Sequence, residues 1–359
     1  MNHQKLLLFI GSYATASESG VKVFEFDGEA GGTLTLKDSV TGIVNPTFLH
    51  VDARGHKLHA IGERLNEEGG KEAEIVSYAV HPAAGTLTEL KRTPAMPAVE
   101  GRNQTTACHI NQDKAHEYMI VCSYHGGMAG LFTMGEDGLP ERLADTAVHS
   151  GEAKPHLHSA IFSPDERFLF MCDLGLDLIR TYRINKENNQ LEALRDTRLH
   201  PGAGPRHFVF HPDGQSAYVI NELDSSVTSF RYDSGTGDLE TVATVSTLPE
   251  GYTGENSCAE IALSEDGRFL YGSNRGHDSI VVYAVESAAA VLTPVEYVET
   301  RGGHPRHFAL LPGGEFLIAA NRDGNNLVVF HVDRESGRLT FTGNEAETGK
   351  PVCVKPVVF

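Results

Sequence analysis

The amino-acid sequence predicts an all-β fold, a seven-bladed β-propeller built from four-stranded antiparallel blades. Three observations lead there. A strand-turn-strand unit recurs about every 50 residues, the period closes only when the two chain ends are joined, and helical periodicity is almost missing.

The unit is an apolar strand, a turn rich in Asp, Pro and Gly, and a second apolar strand ending on a small or polar residue. It is complete in "FLHVDARGHKLHAIGE", "CHINQDKAHEYMIVCS", "SAIFSPDERFLFMCD", "HFVFHPDGQSAYVIN", "EIALSEDGRFLYGSN" and "HFALLPGGEFLIAAN". The closing residues are Glu63, Ser123, Asp173, Asn221, Asn274 and Asn321, and "LLLFIGS" supplies a seventh at Ser12. Their successive spacings are 51, 60, 50, 48, 53 and 47 residues. The 38 residues after Asn321 and the first 12 of the chain together restore the missing interval, 50.

A third strand follows in each unit, as in "SIVVYAV" and "NLVVFHV", and a fourth begins at Leu34, Leu87, Leu139, Leu191, Leu239, Leu292 or Leu339. The first unit lacks an innermost strand, and the tail "KPVCVKPVVF" can fill that place. Closure by the C-terminal strand removes the two bare sheet edges of an open array. Residues 1–359 are therefore expected to form one propeller domain.

Composition limits the function. A net charge of −18 disfavours nucleic acid and anionic membrane surfaces as partners, though a local basic cluster can still attract a small anion. No run of ten apolar residues exists, so no membrane span is expected. The apolar core of "KLLLFIG" is shorter than the roughly 7 to 15 residues of a signal peptide and reads as a strand. Five scattered cysteines without a CxxC pair point to reduced thiols and a cytoplasmic location. A monomer or weak homo-oligomer is expected.

The repeat also locates a site. With strands A to D counted outward from the axis, the start of A lies beside the end of B, on one face of the channel. The residues at the start of A are Thr47, Thr106, His158, Arg206, Ala259, Arg306 and Val352; those just after B are Arg64, Tyr124, Leu174, Glu222, Arg275, Arg322 and Tyr13. Basic and imidazole groups thus crowd consecutive blades. Arg and His at strand starts can serve the scaffold by bonding neighbouring carbonyls. Several like charges around one opening repel each other, so a bound anion or an interleaved carboxylate is the natural compensation. Glu222 supplies part of this and Asp173 could add more. The loops "AMPAVEGRNQTTA" and "TLPEGYTGENSCA" fall on the same face and could wall a pocket, or be ordinary surface loops. "SYHGGMAG" lacks the spacing of a phosphate-binding loop. "PHLHS" sets His156 and His158 two apart, but two ligands do not make a metal site. Neither metal nor cofactor is expected. Cys108, next to His109, reads as packing.

Along its whole length the chain resembles the seven-bladed lactonases, which include propeller-type 6-phosphogluconolactonases and fungal carboxy-cis,cis-muconate lactonizing enzymes. The resemblance rests on "PHLHSAIFSPDERFLFMCDLGLD", "GPRHFVFHPDGQSAYVINELDSSV", "EIALSEDGRFLYGSNRGHDSI" and "HPRHFALLPGGEFLIAANRDGNNLVVF", most specifically on "GPRH" with "NELDS". The third unit's lead-in "GRNQTTACHINQDK" departs from the pattern. The resemblance places the family's functional residues on His158, Arg206, Glu222 and Arg275, all already on the rim. His156, His207, Asp173, Arg306, Asn321 and Arg322 are expected to bind substrate around them.

The implied activity is metal-independent hydrolysis of a small anionic lactone, 6-phosphogluconolactone, in the pentose phosphate route. Arg206 and Arg275 would hold the oxyanion, Glu222 or His158 would activate water, and Arg306 with Arg322 would bind the anionic tail. A muconate-type cycloisomerase would use the same groups, and the sequence does not separate the two. A non-catalytic binding module would want exposed aromatic anchors, against which the absence of Trp speaks. A calcium-dependent gluconolactonase would want oxygen ligands and few cations.

Overall fold

The computed structural model describes the chain except residues 1–4, 66–68, 98 and 100–106, and for Ala289 the backbone only. Among the described residues 28 strands form seven four-stranded sheets. The innermost strands of blades 2 to 7 are Leu49–Asp52, Ala107–Gln112, Leu157–Phe162, Pro205–Phe210, Ser257–Leu263 and Pro305–Leu310. Blade 1 takes its innermost strand, Pro351–Val358, from the C-terminus. That strand pairs antiparallel with Leu6–Ser12, from Leu6 opposite Val358 to Ser12 opposite Pro351. The expected closure is therefore present, and each inner strand packs beside the next around the ring.

Burial follows distance from the axis. The second strand of blade 5, Ser216–Asn221, is buried at every residue, whereas its outermost strand, Asp238–Ser246, keeps most residues open to solvent. Inner strands are covered on both faces by neighbouring blades, which explains why they read as unbroken apolar runs. Between blades 4 and 5, Phe170 stacks on Phe208 at 5.6 Å, and Phe210 meets Phe170 and Tyr232 edge-on at 5.2 and 4.8 Å. Burying such rings supplies most of the adhesion between sheets. The only helix described is a single 3₁₀ turn, Ser287–Ala289, and no helix is long and apolar enough to cross a membrane.

Candidate active site

The chain makes the site with an irregularity repeated in its inner strands. In blade 5, Pro205 faces Asn221 and His207 faces Ile220, which leaves Arg206 without an opposite residue. The same bulge isolates Cys108 in blade 3, His158 in blade 4, Arg306 in blade 7 and Val352 in blade 1. In blade 6 the gap holds Ala259 and Glu260. A bulge breaks the alternation of a strand and re-aims one side chain. Here all five single-residue bulges line one pocket of about 230 Å³, together with Thr47, Tyr13, Tyr124 and Glu222.

This register corrects the sequence alignment in blade 3. The bulged position belongs to Cys108, two residues beyond Thr106, which lies outside the described residues. Cys108 is a pocket residue and not simple packing. Its Sγ lies 3.3 Å from the carbonyl oxygens of Leu157 and His158, and burial pushes the thiol up to about 12, so it stays protonated near neutrality.

The guanidinium of Arg206 is held on two edges. Its Nε donates to Glu222 Oε2 at 2.8 Å, and its NH1 donates to the Ala259 carbonyl at 2.7 Å and to His207 Nε2 at 3.1 Å. Burial, with Arg306 and Arg275 nearby, lowers it to about 10, and it remains a cation. Glu222 Oε2 also accepts Arg275 NH2 at 3.0 Å. Burial alone would raise the Glu222 carboxyl, but Arg275, Arg206 and Arg306 outweigh it and hold it below the ordinary range. Gly204 sets the approach of this pair. It adopts φ +67°, where a Cβ would meet Leu223 Cγ at 2.5 Å, and its carbonyl accepts the Glu222 amide at 2.7 Å.

His158 is almost fully buried. Desolvation, and then Arg206 and His207, drive it well below its ordinary value, so the ring is neutral at physiological pH. Its Nδ1 has no partner among the described residues. Tyr124 packs edge-on to His158 at 5.7 Å, and burial raises its phenol, which keeps it a hydrogen-bond donor. Arg306 lines the pocket with its guanidinium 5.8 Å above the Tyr13 ring and has no carboxylate partner among the described residues.

The other expected residues sit apart from the pocket. Arg275 reaches it only through Glu222; its second bond goes to the Cys258 carbonyl. Arg322 is clamped by its neighbour Asp323 through two bonds of 2.7 and 2.9 Å and donates to His304, so its charge is already matched. Asp173 is fully buried, bonded to His149 at 2.7 Å and to the amides of His156, Gly175 and Leu176. Asn321 is equally buried and donates to the Thr300 carbonyl and to Asn326. Both close the end of a second strand, and neither lines the pocket. His156 stacks on Tyr124 at 4.3 Å and supports the wall from behind. Among the described residues of the two long loops, only Ala107 lines the pocket.

Below the rim lies a layer of which the sequence reading singles out only His207, as a substrate-binding residue; His207 does line the pocket, as does His307. His109, His207, Glu260 and His307 project there around Phe48, whose ring is 4.6 Å from His109 and 5.8 Å from both His207 and His307. Glu260 accepts His207 Nδ1 at 3.0 Å and His307 Nε2 at 2.9 Å. A signal existed: the residue after the first rim position is His, Glu and His in blades 5, 6 and 7. Among the described residues no three His, Cys, Asp or Glu side chains are grouped to hold a metal ion.

The seven-bladed β-propeller lactonase family matches residues 7–356. The 6-phosphogluconolactonase of Bacillus subtilis is 32% identical, with 98% of each chain covered. That of Formosa agariphila is 34% identical, over 92% of this chain and 94% of its own. Among solved structures, a putative 6-phosphogluconolactonase from Bacteroides fragilis superposes with a TM-score of 0.87 at 29% identity, covering 98% of both chains. The periplasmic gluconolactonase of Pseudomonas aeruginosa gives 0.88 at 29% identity, covering 98% of this chain and 99% of its own. The chain therefore belongs to the seven-bladed β-propeller lactonase family, and its class of chemistry is that of a carboxylic-ester hydrolase acting on lactones.

Proposed function

We propose that the protein hydrolyses a phosphorylated sugar lactone of the 6-phosphogluconolactone type, using protein groups alone. One observation carries this reading: a pocket in a lactonase-family propeller is lined by a half-fixed arginine, a neutral imidazole, a carboxylate and an arginine without a carboxylate partner among the described residues. Relatives named 6-phosphogluconolactonase support the substrate class.

Three of the five N–H bonds of Arg206 are committed to protein acceptors, which leaves NH2 to face the ring carbonyl. Negative charge developing on that oxygen is stabilised there. His158 takes a proton from the attacking water as its oxygen bonds to the carbonyl carbon. The tetrahedral intermediate collapses, the ring C–O bond breaks, and the imidazolium returns its proton to the departing ring oxygen. Glu222 orients the water through Oε1, and Arg275 keeps Glu222 ionised. Arg306 binds the phosphate. A dianion beside three arginines also offsets the field that depresses His158, so substrate binding makes the imidazole a better base.

The test is opening of freshly generated 6-phosphogluconolactone by pure protein, corrected for spontaneous hydrolysis, with and without EDTA. Enzymatic opening insensitive to chelator is expected. Activity lost with EDTA would defeat the metal-free mechanism, and activity confined to a muconate-type dicarboxylate in the same panel would defeat the substrate assignment. We propose a cytoplasmic location, supported by five free cysteines, four of them buried; recovery of the native protein in an osmotic-shock fraction would overturn it.

A further inference from the structure

Arg206 is fixed not only by Glu222 on the rim but also from beneath, through a chain that ends on a buried acid. Arginine can only donate hydrogen bonds, so the 3.1 Å contact from Arg206 NH1 requires His207 Nε2 to be a bare acceptor. The His207 proton must then sit on Nδ1, where Glu260 receives it at 3.0 and 3.1 Å. Glu260 is buried, and it also accepts His307 Nε2 at 2.9 Å and the Ile261 amide at 3.0 Å. An ionised carboxylate suits this place because every neighbour offers it an N–H. No neutral side chain of similar size accepts from all three.

We propose that Glu260 is a positioning residue: by imposing the Nδ1–H tautomer on His207 it turns Nε2 toward Arg206 and decides which edge of that guanidinium is left for the substrate. The opposite tautomer would set an imidazole N–H against a guanidinium N–H, and Arg206 would have to swing away from both His207 and the Ala259 carbonyl. His307 is set the other way, with its proton on Nε2 and Nδ1 without a partner among the described residues. The two rings flanking Glu260 therefore carry opposite tautomers. Glu260 touches no substrate; it acts on the reaction through His207 and Arg206. The catalytic part of this inference rests on the reading of Arg206 given above, while the tautomer part stands without it.

The first arm of the test is long-range ¹H–¹⁵N NMR on histidine-labelled parent protein near pH 7.5, with the His207 ring assigned by its disappearance in His207→Gln. A neutral ring protonated at Nδ1 is expected. Protonation at Nε2, or an imidazolium, would overturn the proposal regardless of any activity measurement. The second arm is kinetic. Glu260→Gln offers one carbonyl oxygen and an amide donor where two imidazoles and a backbone N–H need acceptors, so kcat should fall roughly tenfold to hundredfold, as for other residues that orient a reacting group from behind, with KM near parental. The double variant Glu260→Gln/His207→Gln should be no worse than the poorer single one, because both break the same chain. Multiplicative losses would show that Glu260 acts independently of His207 and would sink the positioning role. A parent protein that opens no lactone would defeat the proposed function and leave the tautomer result to decide this inference.

Discussion

Two halves of the rim are built largely on the same bulged inner strands and carry contrasting side chains. On blades 4, 5 and 7 the bulged residues are His158, Arg206 and Arg306, with Glu222 and Arg275 beside them. On blades 1 to 3 the corresponding groups are Val352, Thr47 and a protonated Cys108, faced by Tyr13 and Tyr124, with Glu63 and His125 also lining the pocket but, among the described residues, no arginine or lysine. Sevenfold repetition provides the geometry, and departure from it provides the function. In the mechanism proposed above, the arginine-rich half would receive the developing oxyanion and the phosphate, while the other half, with Glu63 as its carboxylate, would give shape and hydrogen bonds.

The comparison can be broken by moving the effect from one half to the other. Removing the NH2 donor with Arg206→Ala should cost about 10²- to 10³-fold in kcat, the loss known for one oxyanion donor. His158→Gln removes the base and should cost roughly 10²-fold or more in kcat, whereas Glu222→Gln should cost less. The reverse order would make Glu222 the base. Arg306→Ala should raise KM for the phosphorylated lactone roughly tenfold to hundredfold, since a charge-assisted contact is lost. It should leave an unphosphorylated lactone nearly unaffected, and equal losses on both would show that Arg306 does not hold the phosphate. Cys108→Ser keeps a donor toward the Leu157 and His158 carbonyls and should remain near parental. Abolished activity would place the thiol in the chemistry.

Acid sensitivity sharpens the same contrast. The free-enzyme value of His158 lies well below 6.5, so kcat/KM should stay level as pH falls through 6.5 and decline only when the imidazole gains a proton at lower pH. An unphosphorylated lactone is the proper probe, because the second phosphate ionisation near about 6 would add its own limb. A limb centred at 6.5 on that probe would contradict the buried, neutral state of His158.

Much of this was legible in the sequence. The spacing of Ser12, Glu63, Ser123, Asp173, Asn221, Asn274 and Asn321 yields the blade count and the closure, because each spacing is set by one four-stranded sheet. His158, Arg206 and Arg306 follow from the same alignment. Blade 3 resisted because its irregular lead-in hides where the bulge falls, and a bulge shifts the pocket-facing residue without changing the apolar pattern. Asp173 and Asn321 look like polar rim residues, yet backbone amides and carbonyls at the strand end consume them. For Arg322 the answer stood in the adjacent Asp323, whose carboxylate neutralises it. Glu260 resembles an ordinary solvent-facing residue of an alternating strand until the imidazoles of neighbouring blades are set beside it.

The most direct measurement is opening of freshly generated 6-phosphogluconolactone by the parent, Arg206→Ala and Thr47→Ala proteins, compared by kcat/KM after subtraction of the spontaneous rate. The account predicts a loss of at least about 10²-fold for Arg206→Ala and a value near parental for Thr47→Ala. Equal losses from the two variants, or parental activity in Arg206→Ala, would contradict it.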